Sequence, residues 1–524
     1  MRDFIGMESM FDEEVCKRTD HRFHAQGTFI SPEWVKFSKR LDSEMPLVSS
    51  RQPWWTLTDQ AWVICLHRAG IIDRDTAGQL LKGLEHIKMK NDGASGEERL
   101  APFLANNMDL ASIVNYGRTL QEPMLRLKLR DKMIEVLDDI VQLLEVVHNK
   151  AMENLDTIMP GYTHLNQGQP ITFAHWMVSV FDTLYRGLEQ FERAYEYTNR
   201  NTGGCGSCSG ITWEVDRDLL TKLLGLDETV EPTYECEAAQ DHSMAALFAL
   251  SNIVILLSQA SMNLNIWAMD EFDMVRTPPD WCGCSSYMPQ KCDSGSNYER
   301  TRVKACDTLG EMMNCVLQLK GEPHADMQAM FQLPDRALKG MIHARECIGF
   351  FAHMLDVALL QKERMLSIVR AGYSCATELA VCLIREHNYG GRAAHSVVAT
   401  LVRDARVKGM KSYECTGEML DEAARFLGFK EPHLSDEIVR KYFDPVEFIK
   451  THTNKGGTAP EENLRLLNKR KRRLQDAIDR QKARISRLKE AEAFFKSEKE
   501  DICGSGTEKA DVDKYMEEEL CCKI

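Results

Sequence analysis

The chain has 524 residues, of which 44% are hydrophobic and 27% are charged, and its formal net charge is −14. This length exceeds what one hydrophobic core usually serves, so we expect more than one domain. The acidic balance argues against nucleic-acid binding, because phosphate recognition needs a basic surface. No uninterrupted apolar run reaches the length of a membrane span and no secretory signal is visible, so we expect a cytoplasmic protein without a membrane segment.

The chain contains 17 cysteines. Their odd number, their scatter and the length of the chain predict reduced thiols rather than the disulfide framework of a small secreted domain. Cys205 and Cys208 form a lone C-x-x-C pair, without the second pair of ligands that a structural zinc site needs. We therefore predict no metal site.

Helical periodicity dominates the chain. Residues 124–155 place apolar side chains on one wide stripe, which predicts a long amphipathic helix. Residues 245–265 are apolar nearly all round, which predicts a helix buried inside a bundle. Because convincing alternation of apolar and polar residues is absent, the predicted fold class is all-α, with loops at residues 159–170, 203–210, 278–297 and 390–392.

The last segment differs from the rest. After a polar linker at residues 451–460, a heptad spacing relates Leu467, Leu474, Gln481, Leu488 and Phe495. This spacing predicts a basic amphipathic helix. Two interpretations fit it: a helix that lies on the surface of its own subunit, and a helix that forms a coiled coil with a partner helix.

A serine-containing loop follows the most apolar helix and reads CSSYMPQK at residues 284–291. A serine can act as a base only if nearby donors or positive charge stabilise its alkoxide. Lys291, six residues after Ser285, could supply that charge or bind a substrate carboxylate. The alternative interpretation is an ordinary polar loop with an exposed lysine.

A second polar segment, GYTHLNQGQP at residues 161–170, lies between two helical stretches. A lone histidine is more often a structural residue than a catalyst. His164, however, stands beside the hydroxyl group of Thr163 in a polar loop, where a histidine is suited to proton transfer near neutral pH.

Together these two segments resemble GYTHLQ-x-x-QP and GSS-x-MPQK of argininosuccinate lyase and its relatives in the aspartase/fumarase superfamily. Their order and separation are similar as well. Further segments resemble the same family, among them LRLKLRD at residues 125–131, KGEP at 320–323 and YSCATELA at 373–380. The resemblance extends from about residue 110 to about residue 410.

The resemblance implies an all-helical protein of three domains, whose long central helices form a core of about twenty helices in a homotetramer. Each active site would be built from three different subunits. Placed on this sequence, the implied domains are residues 1–118 (N-terminal), 119–367 (central bundle with the catalytic loops) and 368–455 (small C-terminal domain). Residues 456–524 form the linker and the helical tail, which lie outside the resemblance.

The reaction that the resemblance implies is the elimination of fumarate from a small dicarboxylate, an N-substituted aspartate, without a cofactor. Ser285 would be the base, His164 with Thr163 would assist the leaving nitrogen, and Lys291 would bind a carboxylate and stabilise the carbanion. Glu299 would pair with the histidine, although it lies eight residues after the lysine instead of the family's seven. The residues implied to bind substrate are Arg118, Thr119, Gln121, Ser286, Met288, Gln290, Asp241 and Gln328.

The sequence also departs from the family pattern. Cys284 replaces a glycine, Asp293 replaces an asparagine, Leu120 replaces an arginine, and the segment after Pro323 is shortened. These departures favour a leaving amine other than that of argininosuccinate.

Three alternatives stay open. The chain could be a true argininosuccinate lyase of arginine biosynthesis. It could be a catalytically inactive, lyase-derived structural or partner protein. It could also be a superfamily member with other chemistry, such as cycloisomerisation or C–O elimination. For Asp241 alone, two roles fit: orienting a loop of the site, or capping a helix.

Overall fold

The structure is a computed structural model, and it describes residues 50–88, 96–119, 123–282, 285–291, 296–327 and 329–504. Helices make up most of this part of the chain, and its strands are short. These strands form isolated two-stranded pairs and no larger sheet within the described ranges. The predicted all-α class is confirmed.

The helices, in chain order, are α1 (Trp54–Arg68), α2 (Arg74–Leu84), α3 (Gly96–Leu100), α4 (Met108–Ala111), α5 (Met124–Met152), α6 (Phe173–Thr198), α7 (Arg217–Leu223), α8 (Thr233–Ala238), α9 (Asp241–Trp267), α10 (Pro279–Cys282), α11 (Ser296–Leu319), α12 (Ala329–Val357), α13 (Lys362–Ala371), α14 (Ala376–Glu386), α15 (Gly391–Val407), α16 (Gly417–Phe426), α17 (Asp436–Tyr442), α18 (Pro445–Thr451) and α19 (Pro460–Cys503). Single 3₁₀ turns cover Ala101–Leu104, Ser112–Asn115 and Ser412–Glu414. The strands are β1 (Ile158–Thr163), β2 (Asn166–Thr172), β3 (Arg200–Asn201), β4 (Glu228–Thr229), β5 (Val275–Arg276) and β6 (Leu359–Leu360).

Helices α1 and α2 pack together in an N-terminal core. The side chain of Asp73 accepts a hydrogen bond from the Thr76 N–H at 2.7 Å, which fixes the start of α2. Trp62 of α1 is fully buried, and its indole N–H donates to the Tyr116 carbonyl at 2.9 Å. This bond ties the segment that ends at Thr119 to the N-terminal core.

Five long helices, α5, α6, α9, α11 and α12, pack side by side and supply most of the largest buried cluster. Helix α9 is long and apolar enough to span a membrane, but 56% of its apolar window is buried inside the bundle. The bent pair α13 and α14 passes the same test only if both helices are taken as one span. Helix α9 thus lies in a bundle, as predicted, but the side that carries Phe248, Ile255 and Met262 is exposed in the subunit.

The C-terminal helices α14 to α18 enclose a separate core that includes Leu379, Leu383, Val397, Leu401 and Phe448. Strand β1 contacts α13, and β2 contacts α18. The β1–β2 hairpin therefore stands between the central bundle and the C-terminal core.

Helix α19 is 44 residues long and runs along α5, α6, α7 and α2 of its own subunit. Leu467, Leu474 and Gln481 are buried in this contact, and Phe495 belongs to the N-terminal core. The residues with heptad spacing therefore pack on their own subunit. This agrees with the interpretation of α19 as a helix on the surface of its own subunit. Pairing of α19 with a partner helix stays a prediction.

Ion pairs reinforce this contact. Arg480 donates two hydrogen bonds to the Glu192 carboxylate of α6, at 2.9 and 3.0 Å, and Arg484 donates a third at 2.8 Å. The side chains of Glu192 and Arg484 are only 11% and 9% exposed, so solvent and salt screen the pair less than a surface pair. Near the other end of α19, Glu498 pairs with Arg68 of α1 at 2.7 Å. The tail thus connects the central bundle to the N-terminal core.

The buried residues form three main clusters, in the order N-terminal, central and C-terminal. The N-terminal cluster also contains Leu220 and Leu226, which the sequence analysis assigned to the central range. Residues 199–238 return to the N-terminal core between α6 and α9. The domain boundaries given above therefore stay predictions.

We expect Glu192→Gln to lower the free energy of unfolding by about 1–3 kcal/mol, because it leaves the guanidinium groups of Arg480 and Arg484 without their shared carboxylate in a partly buried contact. The measurement is the urea unfolding midpoint of the full chain. Glu196→Gln, on the exposed face of the same helix, is the matched control and should change stability by less than about 0.5 kcal/mol. Equal effects of the two variants would contradict a stabilising role for the α19 contact.

Candidate active site

The segment with Thr163 and His164 is a β-hairpin, whereas the sequence analysis described it as a loop. Strands β1 and β2 pair antiparallel, with Thr163 opposite Asn166. His164 and Leu165 form the two-residue turn with φ of 52° and 59°. Two successive residues with positive φ are typical of the type I′ turn that matches the twist of a hairpin. The turn places His164 at the exposed tip, where Leu165 is 80% exposed.

The C-terminal core holds this hairpin in place. The Gln169 side-chain amide donates to the Thr377 hydroxyl at 3.1 Å, and the Ser374 hydroxyl donates to the Gln167 side-chain carbonyl at 3.1 Å. Ser374 and Thr377 belong to the segment YSCATELA, which the sequence analysis matched to the family without assigning it a role. These contacts identify it as the support of the hairpin.

The serine loop folds as a compact turn. The Ser285 N–H donates to the Lys291 carbonyl at 3.2 Å, and the Lys291 N–H donates to the Met288 carbonyl at 3.0 Å. The Ser285 hydroxyl oxygen accepts from two backbone groups, the Met288 N–H at 3.2 Å and the Tyr287 N–H at 3.4 Å. Such donors stabilise negative charge on an oxygen. Ser285 is half-buried, while Lys291 is exposed.

The other residues predicted in or near this loop are open to solvent. Ser286, Met288 and Gln290 are exposed in the turn. Glu299 is exposed in the first turn of α11, next to the fully buried Tyr298. The loop is also anchored at its flanks, where the Asn297 side-chain amide donates to the Trp281 carbonyl at 2.7 Å.

Thr119 lies in a different part of the subunit, near the start of α9. Its hydroxyl donates to the Glu237 carboxylate at 3.4 Å. The Cys205 thiol contacts the same carboxylate oxygen at 3.4 Å, and Glu237 is only 3% exposed. Asp241 is the exposed first residue of α9, where a carboxylate interacts favourably with the positive end of the helix dipole.

Arg118 forms a buried ion pair with Asp59 of α1. The two side chains are 2% and 1% exposed. Burial raises the pKa of the Asp59 carboxyl to about 6, against the opposing effect of the Arg118 charge. The guanidinium group is therefore enclosed in the N-terminal core, and this contact was not visible as a pattern in the sequence.

The predicted site residues form two groups at opposite ends of the bundle. Tyr162 of the hairpin contacts Met274 at 3.9 Å, and the ring of Trp176 contacts that of Trp267 at the end of α9. The hairpin thus lies at the C-terminal end of α9 and the serine loop follows that end in the chain, while Thr119 and Asp241 lie at the N-terminal end of the helix. Because α9 has 27 residues, about 40 Å separate the two ends. One subunit alone does not bring the groups together.

Two predicted binding residues, Gln121 and Gln328, lie outside the described residues, as do Leu120, Cys284 and Asp293. An open depression of about 730 Å³ lies beside the N-terminal core, between α7 and the segment around β4. It contains none of the predicted site residues.

His242, the second residue of α9, is a polar residue that the sequence analysis did not single out. It is 2% exposed, and neither ring nitrogen meets a hydrogen-bond partner among the described residues. Burial, together with the nearby Arg126 charge, holds the pKa of His242 well below its usual range. The ring is therefore neutral at pH 7.

Comparisons with known proteins identify related chains. A family profile described as lyase matches residues 85–307, and one described as the argininosuccinate lyase C-terminal region matches residues 373–450. The argininosuccinate lyase of Methanocaldococcus jannaschii is 27% identical over 485 residues, which cover 88% of this chain and 97% of that protein. Argininosuccinate lyase 1 of Shouchella clausii is 26% identical over 446 residues, covering 81% and 87%.

Solved structures share the fold. A variant of EDDS lyase with bound fumarate superposes with a TM-score of 0.80 at 24% identity, covering 90% of this chain and 96% of that one. A fumarate lyase from Mesorhizobium sp. BNC1 gives a TM-score of 0.64 at 17% identity, covering 82% and 97%.

The fold and the matched regions define a member of the aspartase/fumarase superfamily. Within that superfamily the chain is argininosuccinate lyase-like and belongs to the carbon–nitrogen lyases. The predicted family and enzyme class are thus confirmed.

We expect Asp59→Asn to lower the free energy of unfolding by about 3–5 kcal/mol, because it leaves a buried guanidinium without its counter-charge. Arg118→Met should be similarly destabilising. The double variant should be more stable than the sum of the single effects predicts, since it leaves neither charge buried alone. Urea unfolding of all four proteins measures this coupling, and additive effects would contradict the buried pair.

We expect His242 to make the protein less stable in mild acid. Its pKa is lowered in the folded state, so between that value and the unfolded pKa near about 6.5 the unfolded chain binds more protons. The contribution of His242 to the free energy of unfolding is therefore fully present above about pH 6.5 and is lost as the pH falls. Unfolding midpoints of wild type and His242→Leu, measured from pH 7 to pH 5, test this.

The unfolding midpoint should change less with pH in His242→Leu than in the wild type. In His395→Gln, a variant of an exposed histidine on α15, it should change with pH as in the wild type. Identical slopes in all three proteins would show that His242 is not the group responsible.

Proposed function

We propose that the protein eliminates fumarate from an N-substituted aspartate, with Ser285 as the catalytic base. The observation that supports this most directly is the pair of backbone N–H groups that donate to the Ser285 hydroxyl oxygen. A serine works as a base only as the alkoxide, and two fixed donors stabilise that charge. Lys291, whose carbonyl accepts the Ser285 N–H, brings a positive charge to the same turn.

In the proposed reaction the Ser285 alkoxide removes a proton from the carbon next to a substrate carboxylate. The electron pair left on that carbon spreads onto the carboxylate, and the Lys291 ammonium stabilises it. A fixed charge of this kind in a site without bulk water contributes several kcal/mol, on the order of about 3 kcal/mol for one oxyanion donor. The same electron pair then forms the C=C bond of fumarate as the C–N bond breaks.

The electrons of the broken C–N bond remain on the leaving nitrogen, which must take up a proton. His164 and Thr163, at the tip of the hairpin, are proposed to provide this proton. The exposed position of the tip supports this role, because a histidine there can reach a group bound outside its own subunit. Glu299 is proposed to pair with this histidine and to set its charge.

The leaving amine is the part of the substrate that differs between candidates. The curated relatives named above are argininosuccinate lyases, and a neighbouring solved structure is an EDDS lyase. The shortened segment after Pro323 and the replacement at Asp293 support an amine other than that of argininosuccinate. Argininosuccinate itself is the second candidate substrate. The matches to argininosuccinate lyases extend over most of both chains, which favours it.

We also propose that copies of the chain assemble through an exposed stripe on α9. Phe248, Ile255 and Met262 recur every seventh residue and are 59%, 42% and 43% exposed. Large apolar side chains aligned along a central helix are typical of an interface. A stripe that packs on its own copy across a two-fold axis perpendicular to the helix runs antiparallel.

Antiparallel packing places the Thr119 end of one subunit beside the Ser285 end of another. The distance of about 40 Å between the two groups in one subunit is therefore no obstacle to a complete site. One such interface gives a dimer, and the homotetramer that the family resemblance implies needs a second, different two-fold interface.

We expect purified wild-type protein to release fumarate from at least one N-substituted aspartate, whereas Ser285→Ala should lose about 10³-fold or more of kcat because the base is missing. The measurement is ultraviolet absorbance of fumarate with argininosuccinate, EDDS and a panel of other N-substituted aspartates.

Ser486→Ala is the control for the assay, since Ser486 is an exposed serine on α19 and is not one of the predicted site residues. It should retain most of the turnover. An active Ser285→Ala variant would exclude Ser285 as the base, and the absence of fumarate from every substrate would contradict the proposed function.

We expect Phe248→Glu together with Ile255→Glu to lower the mass of the native particle, because charges in an apolar stripe oppose its burial. Light scattering after size exclusion measures the mass. Phe426→Glu, a variant of a residue that is 72% exposed on α16, should leave the mass unchanged. An unchanged mass in the double variant would exclude α9 as the interface.

A further inference from the structure

A cluster of three metal-ligating side chains lies in the C-terminal core, away from the proposed active site. The thiol of Cys382, the carboxylate of Glu386 and the imidazole of His387 place one ligand atom each within 4.8 Å of one another. Cys382 and Glu386 are one turn apart on α14, and His387 is the residue that ends this helix. The lone C-x-x-C pair considered in the sequence analysis is a different segment.

We propose that Cys382, Glu386 and His387 bind one zinc ion. Zinc takes sulfur, nitrogen and carboxylate oxygen ligands in tetrahedral geometry. In that geometry a sulfur and an oxygen bound to the same ion are roughly 3.5 Å apart, given Zn–S and Zn–O distances near 2.3 and 2.0 Å. The Cys382 sulfur and one Glu386 oxygen are already 3.8 Å apart.

The surroundings of the cluster suit an ion. Cys382 is 1% exposed, so the sulfur lies in the dry interior, while Glu386 and His387 reach the surface. The Tyr442 hydroxyl donates to one Glu386 oxygen at 3.0 Å, and the other oxygen accepts a hydrogen bond from the Cys382 thiol, whose proton the ion would replace. Outer contacts of this kind orient metal ligands and strengthen binding.

The charges also balance. On binding, the Cys382 thiol would release its proton to solvent, and the resulting thiolate and the Glu386 carboxylate would neutralise the two positive charges of the ion. A neutral His387 would be the third ligand and water the fourth. No arginine or lysine pairs with Glu386 among the residues that the structure describes.

A second cluster in the same domain lacks these properties. Asp421, Glu431 and His433 also approach one another, but the Arg425 guanidinium already pairs with Glu431 at 2.8 Å. Asp421 already accepts the His433 N–H at 2.9 Å and contacts its ring at 3.0 Å. This cluster has no sulfur ligand and is neutralised by a protein cation, so it serves as the internal control.

The test is a titration of the reduced, metal-free full chain with cobalt(II), the spectroscopic substitute for zinc, followed by competition with zinc. We expect one ion per chain with a sulfur-to-cobalt charge-transfer band. Cys382→Ser should abolish the band, and His387→Gln should weaken binding by more than about tenfold. His387→Gln also keeps the test valid if Cys382→Ser does not fold, because His387 lies at the surface.

Cys415→Ser, a variant of another buried cysteine of this domain, and His433→Gln should both behave like the wild type. Zinc should also raise the thermal unfolding midpoint of the wild type and leave that of His387→Gln unchanged. The proposal is overturned if no cobalt band appears, if the band persists in Cys382→Ser, or if Cys415→Ser and His387→Gln weaken binding equally.

Discussion

The structure depends on the packing of one helix that is apolar nearly all round. Helix α9 buries one side against α6, α11 and α12, and this contact forms the centre of the molecule. Its other side carries Phe248, Ile255 and Met262 to the surface. Burial of apolar area contributes roughly 25 cal/mol per Å², so a helix of this composition is stabilised by covering both sides. The same helix therefore stabilises the subunit and carries the surface through which we propose that copies associate.

The length of α9 also determines where the chemistry can occur. Its two ends carry different polar groups, Thr119 and Asp241 at one end and the serine loop with the hairpin at the other. A separation of about 40 Å is far beyond hydrogen-bond reach. We propose that the reacting groups meet between copies, across the antiparallel stripe. In the proposed assembly, subunit stability, association and catalysis all depend on α9.

Much of this architecture could be predicted from the sequence, because long helices with apolar stripes have an unambiguous period. The hairpin could not, since residues 161–170 lack the alternation of a strand and depend on contacts with Ser374 and Thr377. The Arg118–Asp59 pair is equally invisible, because 59 residues separate its partners. Burial of His242 was also missed, since one polar residue at the start of a helix gives no periodic signal.

The identity of the serine as a candidate came from resemblance, and the structure adds a physical reason that the motif alone lacks. Two backbone N–H groups converge on the Ser285 oxygen because the chain bends at Ser286 and Tyr287. Substitutions outside the motif that change the backbone conformation of this loop should therefore abolish the proposed activity. The tail helix acts at a distance from this loop, as a connection between the bundle and the N-terminal core.

The most direct test of a site shared between subunits mixes two variants that we expect to be inactive: Ser285→Ala, which lacks the base, and Thr119→Asp, which places a carboxylate against the substrate carboxylate. The two proteins are dissociated, mixed in equal amounts, reassembled and assayed for fumarate. A site that takes these residues from different subunits is intact in about one quarter of random combinations, so about a quarter of wild-type activity should return. A mixture that stays inactive, while wild type treated in the same way recovers, would contradict a site shared between subunits.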